Sequence, residues 1–306
     1  MRAYMFRRLL YVVPVAWGVV TLVFFIIHLT PGDPAQIMLG ETASSADVAQ
    51  LRTQLGLDRP VLVQYASFLG GVVTLDMGKS IFTRKEVVES IMEAYPATLA
   101  LAFCSMALAI MVAIPLGAVA AARKDTVIDR GSMMASLLGV STPTFCAGPL
   151  LILVFAVNLG WVPASGWSGP SSLILPSITL GLAMASILSR LARSSLIESL
   201  SEDYITAARA RGAPGWLVLF KHGLANALLP VVTVAGLQMG ALLAGSVITE
   251  TIFAWPGLGR LTIDAINARD YPLAQGCVLA ISLSYLFVNI VVDVLYAALD
   301  PRIRYR

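Results

Sequence analysis

Charge is the scarcest thing in this chain. Asp, Glu, Lys and Arg make up 13% of its 306 residues, against 58% hydrophobic residues and a mean hydropathy of +0.81. A soluble domain carries roughly 25% charge, so this composition excludes one. The net charge of +3 is too small to suggest a nucleic-acid partner. Cysteine is scarce as well: Cys104, Cys146 and Cys277 fall inside apolar stretches, with no CxxC and no histidine nearby. That argues against a disulfide framework and a Cys/His metal site, and leaves buried thiols. There is no HExxH and no Gly-x-Ser-x-Gly. Gly78-Lys79-Ser80 ends like a phosphate-binding loop, but Val73 stands where that loop needs its first glycine. No catalytic residue, no metal and no cofactor bound by this chain are expected.

What the chain has is long apolar runs. Six are long enough to span a bilayer, at about 9–29, 97–121, 131–158, 173–193, 229–252 and 276–297. The expected fold is therefore an all-α integral membrane protein with six transmembrane helices. The first run is bulky throughout and closes without a small-x-small site, so it reads as a retained membrane helix rather than a signal peptide. With the N-terminus inside, the inside segments hold fourteen Lys and Arg and the outside segments seven. By the positive-inside rule both termini are cytoplasmic. His28 and His222 then lie on opposite sides of the bilayer and share no site.

Between the first two runs, 30–96 reads as a small extracytoplasmic helical subdomain. A turn cluster, Pro31-Gly-Asp-Pro34, breaks the first helix, and short helices follow at 46–56, 60–72 and 85–94. The chain divides accordingly into 1–96, the first helix with this subdomain, and 97–306, a transmembrane domain with a cytoplasmic loop at 194–228. That loop contains Ser201-Glu-Asp-Tyr-Ile-Thr-Ala-Ala-Arg-Ala-Arg-Gly212-Ala-Pro214. Ser201 is the expected N-cap of a helix over 202–211; Gly212 ends it and Pro214 prevents continuation. Tyr204, Ala207, Ala208 and Arg211 share the spacing of one face, which lets another protein surface approach closely.

The last spans carry the polar exceptions. Gln238, Ser246, Thr249 and Glu250 interrupt an apolar helix and are candidates for lining a path or bonding a neighbouring helix. Trp255 reads as an interfacial anchor, followed by a turn and a short amphipathic helix over 259–268. The cores of these runs (9–27, 97–121, 131–158, 173–189, 229–249 and 276–292) hold no Asp, Glu, Lys or Arg, whereas ion-coupled carriers usually place ionisable groups there. With no nucleotide loop either, energy has to come through a partner, and the 202–211 helix is the contact expected to receive it.

The residues resemble one family: the permease subunits of ABC importers of the dipeptide, oligopeptide and glutathione type. Thr206-Ala-Ala-Arg-Ala-Arg-Gly212 is similar to that family's EAA loop, with Thr206 in place of its glutamate. Further matching stretches are Pro31-Gly-Asp-Pro34, Leu75-Asp-Met-Gly-Lys-Ser80, Asn226-Ala-Leu-Leu-Pro230, Thr249-Glu-Thr-Ile-Phe253, Trp255-Pro-Gly-Leu-Gly-Arg260, Arg269-Asp-Tyr-Pro272 and Asp300-Pro-Arg-Ile-Arg304. The Leu-Pro pair of the general family would fall at Leu224 and Ala225, so its proline is displaced to Pro230.

The resemblance implies a type I ABC importer fold in a bacterial inner membrane, paired with a homologous second permease subunit. It also implies two ATPase subunits that carry the ATP and Mg, and an extracytoplasmic substrate-binding protein. Tyr204, Thr206, Ala207, Ala208, Arg211, Gly212 and Pro214 would then form the ATPase-coupling loop. Trp255, Arg260 and Asp270 would lie on the binding-protein side. Two readings stay open beside this one: an ion-coupled carrier or channel acting alone, and a scaffold that transports nothing. Nickel chelates and sugar-type solutes remain alternative cargoes.

Overall fold

The computed structural model describes residues 2–29, 33–40 and 44–299, except the side chains of 2–9, 26–29, 37, 38, 55, 245 and 296–299. The matching stretches at 31–32 and 300–304 lie outside the described residues, as does the side chain of His28. Helices dominate: α1 Arg2–Leu29, α2 Pro34–Leu39, α3 Ser45–Leu55, α4 Val61–Thr74, α5 Val87–Ala122, α6 Val127–Ser141 and α7 Thr144–Leu151. They continue as α8 Ile174–Leu200, α9 Asp203–Ala210, α10 Gly215–Leu217, α11 Ala225–Gly245, α12 Val247–Ile252, α13 Leu258–Asn267 and α14 Tyr271–Leu299. Widened π turns extend α7 over Ile152–Asn158 and join α10 to α11 over Val218–Leu224. Among the described residues the extended pairing is one bridge, Lys79 with Glu86.

Four helices are each long and apolar enough to cross a membrane among the described residues, and a bent pair makes a fifth. α1 is 28 residues long, about 42 Å at 1.5 Å per residue, and its described apolar stretch is Leu10–Phe25. The expected span 131–158 is corrected most: it bends by 98° between Ser141 and Thr144. Thr142 precedes Pro143 and is held extended at φ −88°, ψ 111°. The proline ring excludes the helical region for its predecessor and supplies no N–H, so the helix stops and restarts.

Three other boundaries differ from the sequence reading. The helix expected at 85–94 is no separate element but the start of α5, which runs through Pro96 into the membrane segment. α8 continues to Leu200, so most of 194–228 is helix and the loop proper is short. α11 stops at Gly245, and α12 sits apart from it after Ser246. The short helices fare better. α3 is capped by Ser44, whose Oγ accepts from Asp47 N, and ends at Gly56 with φ +66°. α4 and α13 fall within two residues of their expected bounds.

The core is the α5–α8 pair, with α11 and α14 packed around it. Apolar contact between helices has little driving force in lipid, so packing depends on small residues that let backbones close up. Gly117 of α5 faces Ser189 and Ala192 of α8, and a Cβ there would lie 2.8 Å from Ser189 O and 2.7 Å from Ala192 Cβ. Gly181 of α8 makes the reciprocal approach, where a Cβ would come within 2.9 Å of Ser105 O. Leu101, Ala109, Ala113 and Leu188 fill the seam between them and are fully buried. Overpacking such a seam costs about 1–3 kcal/mol. Gly117→Val therefore lowers the thermal unfolding midpoint of the detergent-solubilised protein by several degrees. Gly70→Ala, at an open position on α4, leaves the midpoint unchanged or raises it slightly; equal effects of the two would mean the seam is not tight.

Candidate coupling site and the polar knots around it

α5, α6, α8 and α11 bring one set of their ends together beside α9; α12 and α13 lie at the other end. At the α9 end the helix lies within one residue of its expected bounds, but its N-cap differs. Ser201 does not cap it: its Oγ donates to Glu198 O at 2.6 Å, and Glu202 occupies the N-cap position without a side-chain bond. Gly212 does end the helix, at φ +83°, the left-handed region that glycine enters without a Cβ penalty. Pro214 starts α10, its carbonyl accepting from Leu217 N at 3.0 Å and Val218 N at 3.1 Å.

The face assignment is the larger correction. Ile205 and Ala208 are buried, at 0% and 4% exposure, and turn toward the bundle. Tyr204 shares this tethering: its hydroxyl lies 2.6 Å from Ser199 Oγ and accepts from Asn226 Nδ2 at 2.9 Å. Ser199 Oγ also donates to Gly223 O at 3.0 Å. The exposed stripe is Thr206, Ala207, Ala210 and Arg211, with Arg211 Nε donating to Ala207 O at 3.2 Å. Ala208 is thus a packing residue, and Ala207 with Ala210 offers the open small surface. Ile205 carried the missed signal: as the only bulky aliphatic residue in the helix, it marks the buried side, and Ala208 lies three residues on.

Close by, an ion pair that sequence reasoning missed ties α6 to α8. Both carboxylate oxygens of Asp129 meet Arg193, Oδ1 accepting from Nε at 2.5 Å and Oδ2 from Nη2 at 2.6 Å. Asp125 N donates to Asp129 Oδ2 at 2.9 Å, and Thr126 caps the helix. Asp129 precedes the apolar part of α6. The guanidinium and the backbone amide favour the charged form and hold its carboxyl at about 2, below the ordinary 3.8.

At the α13 end, the path candidates Ser246 and Glu250 are closed into a knot, and Thr249 is buried beside it. Glu250 is fully buried. Its Oε1 accepts from Thr98 Oγ1 at 2.8 Å and Ser246 Oγ at 2.9 Å; its Oε2 accepts from Arg260 N at 3.1 Å. Thr98 Oγ1 in turn accepts from Leu258 N at 2.8 Å. One carboxyl group thereby joins α5, α12 and α13, and a buried polar group is tolerable only when hydrogen-bonded in this way. Gly257 and Gly259 are what let the turn lie on it: a Cβ on Gly257 would come within 2.6 Å of Thr98 Oγ1, and one on Gly259 within 3.0 Å of Glu250 Oε2. Thr249 is buried too, and its Oγ1 has no partner among the described residues. Gln238 alone of the four stays partly exposed.

Trp255 is corrected from interfacial anchor to core. It is 1% exposed, donates from Nε1 to Ala97 O at 2.9 Å and meets Trp167 edge-on at 5.2 Å. Asp270 is buried in a second knot, accepting from Ser80 Oγ at 2.5 Å, Ile81 N at 3.1 Å and Leu273 N at 3.3 Å. It fastens the 76–86 segment to the start of α14. Arg260 is half-buried, with Nη1 donating to Ala254 O at 2.7 Å and Nε 3.6 Å from Asp264 Oδ2. Among the described residues no group of three or more His, Cys, Asp or Glu could hold a metal ion.

A helical bundle with a broken span, buried polar knots at one end and a short tethered helix at the other defines a membrane-embedded component rather than a soluble one. Comparison with known proteins identifies which. The binding-protein-dependent transport system inner membrane component family matches residues 113–305, and the N-terminal part of such membrane components matches 1–102. The chain is 45% identical over 303 residues to the glutathione transport system permease protein GsiC of Salmonella choleraesuis (strain SC-B67), covering 99% of each. Against the GsiC of Escherichia coli (strain K12) it is 44% identical, with the same coverage.

Among solved structures, an inward-facing MetNI methionine ABC transporter chain aligns with a TM-score of 0.58 and 21% identity, over 69% of this chain and 96% of that one. A chain of an amino acid ABC transporter aligns at 0.55 and 15%, over 69% and 94%. These two show the fold alone. The chain belongs to the binding-protein-dependent transport system inner membrane component family. It is a multi-pass inner-membrane permease component of ABC importer type, and not itself an enzyme.

The Asp129–Arg193 pair sets a pH dependence. The folded-state value lies below the unfolded one, so the stabilisation is complete above about pH 4 and is lost as pH falls through about 2. Thermal midpoints of the wild type and Asp129→Asn, followed down the pH scale, should differ most above pH 4 and converge near pH 2. A constant difference would mean the pair does not hold α6 to α8.

Proposed function

We propose that the chain is the permease subunit of an ATP-driven importer of short peptides, glutathione among them. The observation that carries this is identity of 45% along 99% of both chains with glutathione transport system permease proteins. It works beside a homologous second permease subunit, two ATPase subunits that hold ATP and Mg, and an external substrate-binding protein. Residues 1–96 supply the first helix, the outside subdomain and the opening turns of α5, and 97–306 the half of the pathway that this subunit contributes.

The outside of the membrane is the α13 end and the inside is the α9 end. The fourteen-to-seven bias of Lys and Arg supports this orientation. Single cysteines at Ala49 and Ser165, in a background without Cys104 and Cys146, should label from outside. One at Lys124 should label only after the membrane is opened. The reverse pattern defeats the orientation.

Energy enters through α9. Thr206, Ala207 and Arg211 offer the open stripe to an ATPase, while Tyr204, Ala208, Gly212 and Pro214 hold the helix in position against α8 and α11. Closure of the ATPase pair on ATP would displace α9 and, through Tyr204 and Asn226, the start of α11. That is a population shift between two packings driven by differential binding. Gln238 is the path-lining residue this reading retains. On the opposite side, Trp255, Arg260 and Asp270 shape the surface beneath the binding protein from within.

The test uses the complete complex. Ala207→Arg leaves assembly intact, abolishes stimulation of ATP hydrolysis by the binding protein, and stops glutathione uptake. Gln238→Ala raises the KM of uptake without altering stimulation. Normal stimulation and uptake in Ala207→Arg would show that the energy contact lies elsewhere. Uptake by this chain without any ATPase would make it a self-sufficient carrier.

A further inference from the structure

A cavity of about 900 Å³ opens in the subdomain between α1 and α5, and neither the membrane path nor the coupling helix uses it. Its walls come from α3, α4, the 76–84 segment and the first turn of α14. Phe24, Leu51, Phe68 and Met77 provide apolar lining. The volume lies at the upper part of the range for small-molecule sites, roughly 300–1,000 Å³, and such sites combine apolar walls with a few converging polar groups.

The charges are what single this cavity out. Arg59, Lys79 and Arg84 all line it, are exposed, and have no ion pair with any described residue. The chain pairs its other nearby cations: Lys85 meets Glu93 at 3.0 Å and Arg52 meets Asp33 at 3.6 Å. Two acids also line the cavity, and each already has a local bond. Asp47 Oδ2 accepts from Ser44 Oγ at 2.6 Å, and Asp76 Oδ1 accepts from Gly78 N at 3.3 Å. Gln50 and Gln54 present further amides from α3. Three unpaired cations facing two occupied carboxylates suit a ligand with more than one carboxylate and one ammonium group. Charge-assisted bonds from Arg and Lys to carboxylate would hold it.

The same cavity touches the Asp270 knot. Ser80 and Ile81 on one wall are the groups bonded to Asp270, and Pro272, Gln275 and Gly276 on the facing wall begin α14. An occupant would therefore bridge the subdomain and the helix that closes the bundle.

We propose that this cavity is a solute site of the permease itself, which takes a short peptide by its carboxylate groups. The proposal rests on the peptide-importer reading above. Binding is separated from transport by a label inside the cavity. Gln54→Cys is introduced into the full complex lacking Cys104 and Cys146, and its reaction with a charged maleimide is followed without the external binding protein. S-methylglutathione, which has two carboxylates and no free thiol, should protect the cysteine at millimolar concentrations. Its diethyl ester should not.

Replacing the three cations together (Arg59→Gln, Lys79→Gln, Arg84→Gln) should raise the protecting concentration by about tenfold or more, the loss expected when charge-assisted bonds disappear. Lys85→Gln, whose partner is Glu93, should leave protection unchanged. Labelling indifferent to S-methylglutathione, equal protection by the ester, or protection that survives the triple substitution each overturns the site. Protection by the binding protein alone would make the cavity a protein-docking surface and also overturns it. Uptake of glutathione by the wild-type complex is measured in parallel. Uptake without protection defeats this site and leaves the importer reading standing; protection without uptake does the opposite.

Discussion

Close backbone approach between α5 and α8 is the constraint on which the remaining structure depends. Lipid offers no hydrophobic gain for bringing two helices together, so the contact has to come from dispersion, and dispersion falls steeply with distance. Gly117 and Gly181 remove the side chains that would hold the helices apart, one from each partner. Once that seam is closed, α5 carries Thr98 toward Glu250, and α8 carries Arg193 toward Asp129 and Ser199 toward Tyr204. Each end of the molecule is fastened to a different end of the same helix pair. The pair therefore gives any motion at α9 a rigid element to act through.

The two ends are fastened by different chemistry. At the α13 end, Glu250 and Asp270 are buried carboxylates whose oxygens are taken up by hydroxyls and backbone N–H groups from separate elements. Such networks are rigid when complete, because releasing any member leaves a buried polar group unsatisfied. At the α9 end the Asp129–Arg193 ion pair ties α6 to α8, but α9 itself is held by neutral hydroxyl and amide bonds through Tyr204, which is itself exposed. Bonds of that kind exchange with water at little cost. A fixed α13 end and a more yielding α9 suit the proposed reading, in which α9 receives a push from one side of the bilayer.

The broken span between α6 and α7 belongs to the same picture. Its 98° bend at Thr142-Pro143 opens the packing beside α8. A groove of about 450 Å³ results, lined by Val112, Leu116, Leu138, Leu150, Leu182 and their neighbours. A straight helix in that position would have filled the space. Backbone irregularity at membrane depth is tolerated where protein covers it, which fits a subunit that works beside a second permease.

The sequence by itself determined the class of the protein, the number of apolar runs, the short helices α3, α4 and α13, and the Gly212 stop of α9. All of these follow from local rules: hydropathy summed over a window, a capping residue, or a glycine where φ must be positive. The open face of α9 was only weakly marked: two alanines look alike, and Ile205, the one bulky aliphatic residue of the helix, is the single local pointer to its buried side. Nor could the sequence show that Ser246 and Glu250 are sealed into a knot with Thr249 buried beside it, since the other members, Thr98 and Arg260 N, arrive from other elements, Thr98 from 152 residues away. Trp255 and Asp270 moved from surface to core for the same reason. Burial and hydrogen-bond satisfaction are properties of pairs of distant segments, and only the tertiary structure brings those segments together.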